Sequence, residues 1–183
     1  MVDSIQPSFL VDGFPIWIID NFLLPHEHEQ MYVYCSKSLY TLEHTSSPHQ
    51  ENFYPRLVAN LTTEQINTLP LTREFNDSLK MIGVQAKIDR AYINLSNKET
   101  VCVEHVDDDS FGMSMIYYPN TTWNLNWGGE TMFFNSKKEV SMTSIVKPNR
   151  AIFFDPRILH TGRAPTFAAK ANRYTIVYKS KGE

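Results

Sequence analysis

The run Glu104-His105-Val106-Asp107 sets an imidazole and a carboxylate two residues apart. In an extended segment such residues share a face, so both can reach one cation. Two ligands leave a divalent ion under-coordinated, and a third must come from elsewhere in the chain. His160, in Ile158-Leu159-His160-Thr161, is the candidate, and it too lies in a short run with strand chemistry. Two imidazoles and one carboxylate gathered on one side of an ion leave positions open, the donor set of non-haem Fe(II) oxygen-activating sites. Taken singly the elements are weak: His-x-Asp is a common spacing, and a strand histidine also serves as a hydrogen-bonded core residue. The other histidines add nothing. His26 and His28 sit two apart on a predicted helix and so diverge, and His44 and His49 flank a loop.

Downstream of His160, Arg173 opens the apolar run Arg173-Tyr174-Thr175-Ile176-Val177-Tyr178. A cation facing the inside of a barrel is costly unless an anion meets it there. A guanidinium presents a planar fork suited to a carboxylate, and Thr175, on the same face, can donate a hydroxyl to the same anion. The alternative is an Arg173 turned out to solvent. A cupin-like enzyme using zinc or manganese could be built on the same three ligands, but it has no need of a cation buried opposite the metal. A non-catalytic binding barrel is expected to lose a ligand or the arginine, and none is lost.

Residues so far apart need a scaffold that folds distant stretches together. From Lys87 onward the chain becomes eight short runs with strand chemistry, over 88–95, 101–106, 113–118, 130–134, 140–146, 151–154, 158–161 and 174–179, separated by turn residues. Short strands at this spacing predict an antiparallel sandwich or barrel. The first half reads as α-rich. A short β run at Ile16-Trp17-Ile18-Ile19 precedes a helix opened by Pro25, with Glu27 and Glu29 in its first turn. A short helix is predicted over 62–69, and a stronger one over 71–82, with Leu71, Phe75, Leu79 and Ile82 at helical spacing. Residues 45–54 read as a loop. Helices in one half and strands in the other give the class α+β.

A chain of 183 residues is one domain, 1–183, with ordinary globular composition. Its net charge of −3 carries no electrostatic footprint for nucleic acid or an anionic membrane. The apolar stretch 14–24 is broken by Asp20 and Asn21 and is too short to span a bilayer. No lysine or arginine precedes Lys37, so the basic region of a signal peptide is lacking. Cys35 and Cys102 form no motif and read as reduced thiols. The expectation is a soluble, cytoplasmic protein with neither a nucleic-acid nor a membrane partner.

Over residues 86–180 the chain resembles the prolyl 4-hydroxylase-like branch of the 2-oxoglutarate and Fe(II)-dependent dioxygenases. The resemblance is carried, in order, by His105-Val106-Asp107, Ile116-Tyr117-Tyr118, Gly128-Gly129-Glu130-Thr131-Met132-Phe133-Phe134, Ala151-Ile152-Phe153-Phe154-Asp155, His160 and Arg173-Tyr174-Thr175-Ile176. Ile19-Asp20-Asn21-Phe22-Leu23 looks like the usual start of such domains.

The resemblance implies a double-stranded β-helix, a jelly-roll core over 86–180 with the metal in its mouth, supported by a helical region over 1–85. It implies Fe(II) held by His105, Asp107 and His160, and 2-oxoglutarate paired through its distal carboxylate with Arg173. Tyr118, and at a looser spacing Tyr92, would contact the same cosubstrate; the plainer reading of both is core aromatics. O2 would be the third reactant, with succinate and CO2 released as a substrate C–H bond is hydroxylated. Because Asp107 fills the carboxylate position, no site is vacated for chloride and halogenation is not expected. The leading substrate is a prolyl residue in a peptide or protein, with a free amino acid or another small molecule left open. Segments 45–54, 108–112 and 119–127 would form the mouth. Trp123 and Trp127 could close over a substrate, and Arg163 could anchor its carboxylate or backbone, against the plainer readings of buried packing and ordinary exposure.

Overall fold

The computed structural model describes residues 5–43 and 56–182. Strands β1 (Phe9–Val11) and β2 (Phe14–Asp20) form a hairpin across Asp12-Gly13, both at positive φ, the backbone that a two-residue turn between twisted strands requires. Helix α1 (Pro25–Lys37) begins at proline, and Glu27 in its first turn accepts from the Leu24 N–H. After β3 (Thr41–Glu43) and β4 (Arg56–Asn60) comes α2 (Thr63–Thr68), started by a reciprocal cap between Thr62 and Gln65. Helix α3 (Pro70–Ile82) buries Leu71, Phe75 and Leu79, the face its spacing predicts. The remaining strands are β5 (Ala86–Ser96), β6 (Gly112–Tyr118), β7 (Thr131–Phe134), β8 (Val140–Ser144), β9 (Arg150–Phe154), β10 (His160–Gly162) and β11 (Arg173–Gly182).

Two antiparallel sheets face each other. The larger runs β1-β2-β9-β6-β11-β5-β4-β3 and the smaller β10-β7-β8. The middle of the larger sheet, over 115–118, 151–154 and 176–178, is apolar on both faces because both are buried. Met115, Tyr117, Phe153, Ile176 and Tyr178 pack outward against the helices. Ile116, Tyr118, Ile152, Phe154 and Val177, their alternates, pack inward against the smaller sheet. Phe75 of α3 stacks on Phe153 at 5.7 Å and meets Tyr178 edge-on at 5.4 Å, which seats the helix layer on the sheet. This is a jelly-roll core with supporting N-terminal helices, α+β in class.

Three expectations change. Residues 101–106 form no strand: the segment is irregular and is joined to the smaller sheet by a bridge from His105 to His160. The strand at His160 starts there rather than at Ile158, whose N–H closes a turn onto Asp155. The N-terminal region is not purely helical, since β1 and β2 extend the large sheet beside β9 while β3 and β4 extend it beside β5. The β run read at 16–19 is β2, whereas β1, β3 and β4, at three to five residues, are too short to carry a periodic signal. The predicted loop 45–54, with His44 and His49, lies outside the described residues. No helix among the described residues is long and apolar enough to cross a membrane.

Candidate metal centre

The site is built from backbone first. The N–H of His105 donates to the carbonyl of His160 and the N–H of His160 to that of His105, each at 2.9 Å. Residues paired in this way are direct neighbours with side chains on one face, and the imidazole centroids lie 4.5 Å apart. His105 Nδ1 is 3.1 Å from the Val103 carbonyl and His160 Nδ1 is 2.9 Å from the Ile158 carbonyl. A carbonyl can only accept, so both Nδ1 atoms carry the proton and both Nε2 lone pairs are free for a cation. Asp107 follows two residues on, its N–H held by the Pro156 carbonyl at 2.9 Å.

The three side chains converge. His105 Nε2 is 3.5 Å from Asp107 Oδ1 and His160 Nε2 is 3.8 Å from Oδ2, and one ligand atom from each residue falls within 4.8 Å of the others. Metal–ligand bonds of about 2.1 Å at right angles separate neighbouring ligand atoms by roughly 3 Å, so a small adjustment closes this set around an ion.

Burial pushes the His160 imidazolium down to about 4, so the ring is neutral and ready to ligate at pH 7. Burial alone would raise the Asp107 carboxyl, but His160, His105 and Lys179 outweigh it and hold the group well below the usual carboxylate range. Lys179 Nζ lies 2.6 Å from Asp107 Oδ1, and Ser114 Oγ donates to Oδ2 at 2.7 Å.

A cavity of about 290 Å3 opens between the sheets beside these ligands. Tyr92 and Asn94 of β5 and Thr175, Val177 and Lys179 of β11 wall one side, with Thr131 and Arg173 at the inner end. Arg173 is buried, at 4% exposure. Its Nη2 donates to Thr131 Oγ1 at 3.2 Å and its guanidinium stands 5.4 Å from the Tyr118 ring centroid. Gly129, at φ +83°, permits this: a Cβ there would lie 2.9 Å from Arg173 Cδ.

Among the described residues, Arg173 Nε, Asn94 Oδ1 and Thr161 Oγ1 are buried polar atoms on cavity-lining residues without a hydrogen-bond partner. Buried polar groups are rarely left unmet. A guanidinium N–H and a hydroxyl, Arg173 Nε and Thr161 Oγ1, are donors that fit an anionic, oxygen-rich ligand lying next to a metal, whereas Asn94 Oδ1 can only accept. The residues present therefore suit both an Fe(II)-type ion and a dicarboxylate.

The expected residues divide into two groups. His105, Asp107, His160, Arg173, Thr175 and Tyr92 all line the one cavity. Tyr118 stands behind the wall, fully buried, with its hydroxyl 2.7 Å from Thr131 Oγ1, so that it supports Arg173 through that threonine. Trp123, Trp127 and Arg163 lie off the cavity wall. The Trp123 indole N–H is satisfied by the Gly128 carbonyl at 2.9 Å and its ring meets Trp127 edge-on, while Arg163 is exposed. Asn94, Thr131, Ser114, Lys179 and the free Cys102 were not anticipated. Lys179 was within reach, since it shares the face of Arg173 and Thr175 by the same two-residue period. Thr131 and Ser114 give no local signal.

No protein-family profile and no curated protein matches the chain. Solved structures do. A prolyl-4-hydroxylase from Pseudomonas putida superposes with a TM-score of 0.67 at 14% identity, covering 92% of each chain. A prolyl hydroxylase from Trichoplax adhaerens, solved with a hypoxia inducible factor peptide fragment, gives 0.65 at 15% identity, over 91% of this chain and 83% of that one. The epimerase SnoN, in complex with Fe3+, α-ketoglutarate and nogalamycin RO, gives 0.66 at 10% identity, over 91% and 78%. At these identities what is shared is the fold.

Proposed function

We propose that this chain is a non-haem Fe(II) oxygenase that consumes 2-oxoglutarate and O2 to hydroxylate an unactivated C–H bond, with a prolyl residue of a peptide or protein as the leading substrate. One observation carries the reading: His105, Asp107 and His160 converge at the side of a cavity whose inner end holds the buried, incompletely bonded Arg173. A cupin-like metalloenzyme without 2-oxoglutarate gives no reason for that buried cation, and a binding module gives no reason for three intact ligands.

His105 and His160 present Nε2 atoms and Asp107 a carboxylate, which together would hold the ion on one side and leave its other positions open. Arg173 meets the distal carboxylate of 2-oxoglutarate with its guanidinium fork, and Thr175 stands beside it on β11 to donate a hydroxyl. Asn94, across from Thr175 on β5, donates its amide N–H to Thr175 Oγ1 at 3.5 Å, which leaves the hydroxyl hydrogen of Thr175 for the anion. Bound there, Fe(II) and 2-oxoglutarate supply O2 activation coupled to loss of CO2 and formation of succinate. The two sheets exclude water from the inner end.

The prolyl reading rests on the resemblance over residues 86–180 and on the fold shared with prolyl hydroxylases. Val101 and Val106, 45% and 38% exposed at the mouth, offer a non-polar rest for a pyrrolidine ring. A second reading, oxidation of a free amino acid or other small molecule, is favoured by the modest cavity and by the fold shared with SnoN.

Anaerobic titration with Fe(II) and 2-oxoglutarate tests the reaction class. A weak visible charge-transfer band is expected, and it disappears in His160→Ala; a wild-type chain that shows no band refutes the reading. Succinate release over a panel of proline-containing peptides and free amino acids then separates the substrate classes.

A further inference from the structure

Lys179 has no part in the reaction as set out above. It lies on β11 with Arg173, Thr175 and Val177, all four facing the cavity, and it is buried. Burying an ammonium is costly unless a carboxylate meets it. The carboxylate that meets it is Asp107, 2.6 Å from Nζ. The lysine also stands 5.8 Å from the centroid of Tyr92, whose ring faces the cation.

This pairing divides the two oxygens of Asp107. Oδ1 is taken by a full positive charge, while Oδ2 accepts from the neutral hydroxyl of Ser114 at 2.7 Å. A carboxylate oxygen can accept a hydroxyl and still bind a metal. The same oxygen bonded to an ammonium at this distance is a far poorer ligand, because its charge is already neutralised. A carboxylate free at both oxygens can chelate a cation and occupy a second position on it.

We propose that Lys179 is a positioning residue of the metal centre: its ammonium holds Oδ1 of Asp107, so the carboxylate meets the metal through one oxygen and the other positions stay open for 2-oxoglutarate and O2. The inference rests on the Fe(II) and 2-oxoglutarate reading given above. It gives the two cations of β11 separate tasks, Arg173 on the cosubstrate at the inner end and Lys179 on the metal's own ligand.

The test uses the full chain loaded anaerobically with Co(II), whose visible absorption reports coordination number. Lys179→Met is expected to bind Co(II), to show the weaker absorption of a higher-coordinate ion, and to bind 2-oxoglutarate about tenfold more weakly. Lys179→Arg, which restores the charge, is expected to recover the wild-type spectrum and an affinity within about threefold. A Lys179→Met protein with wild-type spectrum and wild-type 2-oxoglutarate affinity overturns the proposal. Should that variant fail to fold, the wild-type chain decides by a crystal structure with Co(II) and 2-oxoglutarate. Lys179 Nζ within hydrogen-bond distance of an unligated Asp107 oxygen supports the proposal; a chelating Asp107 or a lysine turned away overturns it. Wild-type protein that binds no Co(II), or His160→Ala protein that binds it equally well, strikes at the metal reading instead, so the two failures are distinct.

Discussion

His105 and His160 exchange both of their backbone hydrogen bonds across a single antiparallel bridge, at 2.9 Å in each direction. Their rings are thus set side by side by the main chain, before any ion contributes. Each ring is then turned by a carbonyl two residues earlier in its own chain segment, Val103 for one and Ile158 for the other. Such outer contacts fix tautomer and orientation. A geometry that could hold a metal ion is thus largely preformed.

Because the ligands are in place, divalent metal should stabilise the folded chain by mass action, about 2.7 kcal/mol at a hundredfold excess over the dissociation constant. A thermal melt with and without Co(II) or Mn(II) measures this. The shift should vanish in His160→Ala. Equal shifts in the two proteins would place the metal elsewhere.

Arg173→Ala should keep metal binding and lose 2-oxoglutarate. Removing one partner of a buried, hydrogen-bonded charge pair costs about 2–5 kcal/mol, a loss of roughly 30-fold or more in affinity. Calorimetry on the Co(II)-loaded variant reads it directly, and unchanged cosubstrate affinity removes Arg173 from the site.

Gly129→Ala tests the same arginine from behind. The new Cβ would lie 2.9 Å from Arg173 Cδ on a backbone at φ +83°. A strained left-handed residue costs about 1–2 kcal/mol, and the displaced arginine should weaken 2-oxoglutarate binding as well. A variant with lowered Tm but native cosubstrate affinity would show that Arg173 tolerates the shift.

His160 should make the metal-free protein sensitive to mild acid. Its ordinary value of 6.5 applies to the unfolded chain, and burial brings the folded value down to about 4. The unfolded chain therefore takes up the proton first. The contribution is fully present above pH 6.5 and is lost as pH falls towards 4, on the order of 3 kcal/mol. His28, lowered chiefly by burial as well and lying 2.6 Å from the Tyr117 hydroxyl, adds a slope of the same sign. Comparing Tm against pH for wild type and His160→Gln isolates the His160 share, and parallel curves would disprove it. Asp107, held below its ordinary range, acts only at lower pH.

Much of this was legible in the chain itself, because strand chemistry alternates with period two. That period put His105 with Asp107 and Arg173 with Thr175, and strand chemistry marked 113–118, 151–154 and 174–179, where β6, β9 and β11 lie. Local periodicity says which residues share a face. It does not say what that face meets. Only the tertiary fold decided that residues 101–106 stay irregular, held by one bridge to His160. It alone set Tyr118 behind Thr131 and drew β1 to β4 onto the edges of the large sheet. It also delivered Lys179 to the carboxylate of Asp107. Partners in a jelly-roll lie far apart along the chain, so their contacts are fixed by closure of the two sheets, a long-range packing outcome that no short window of sequence contains.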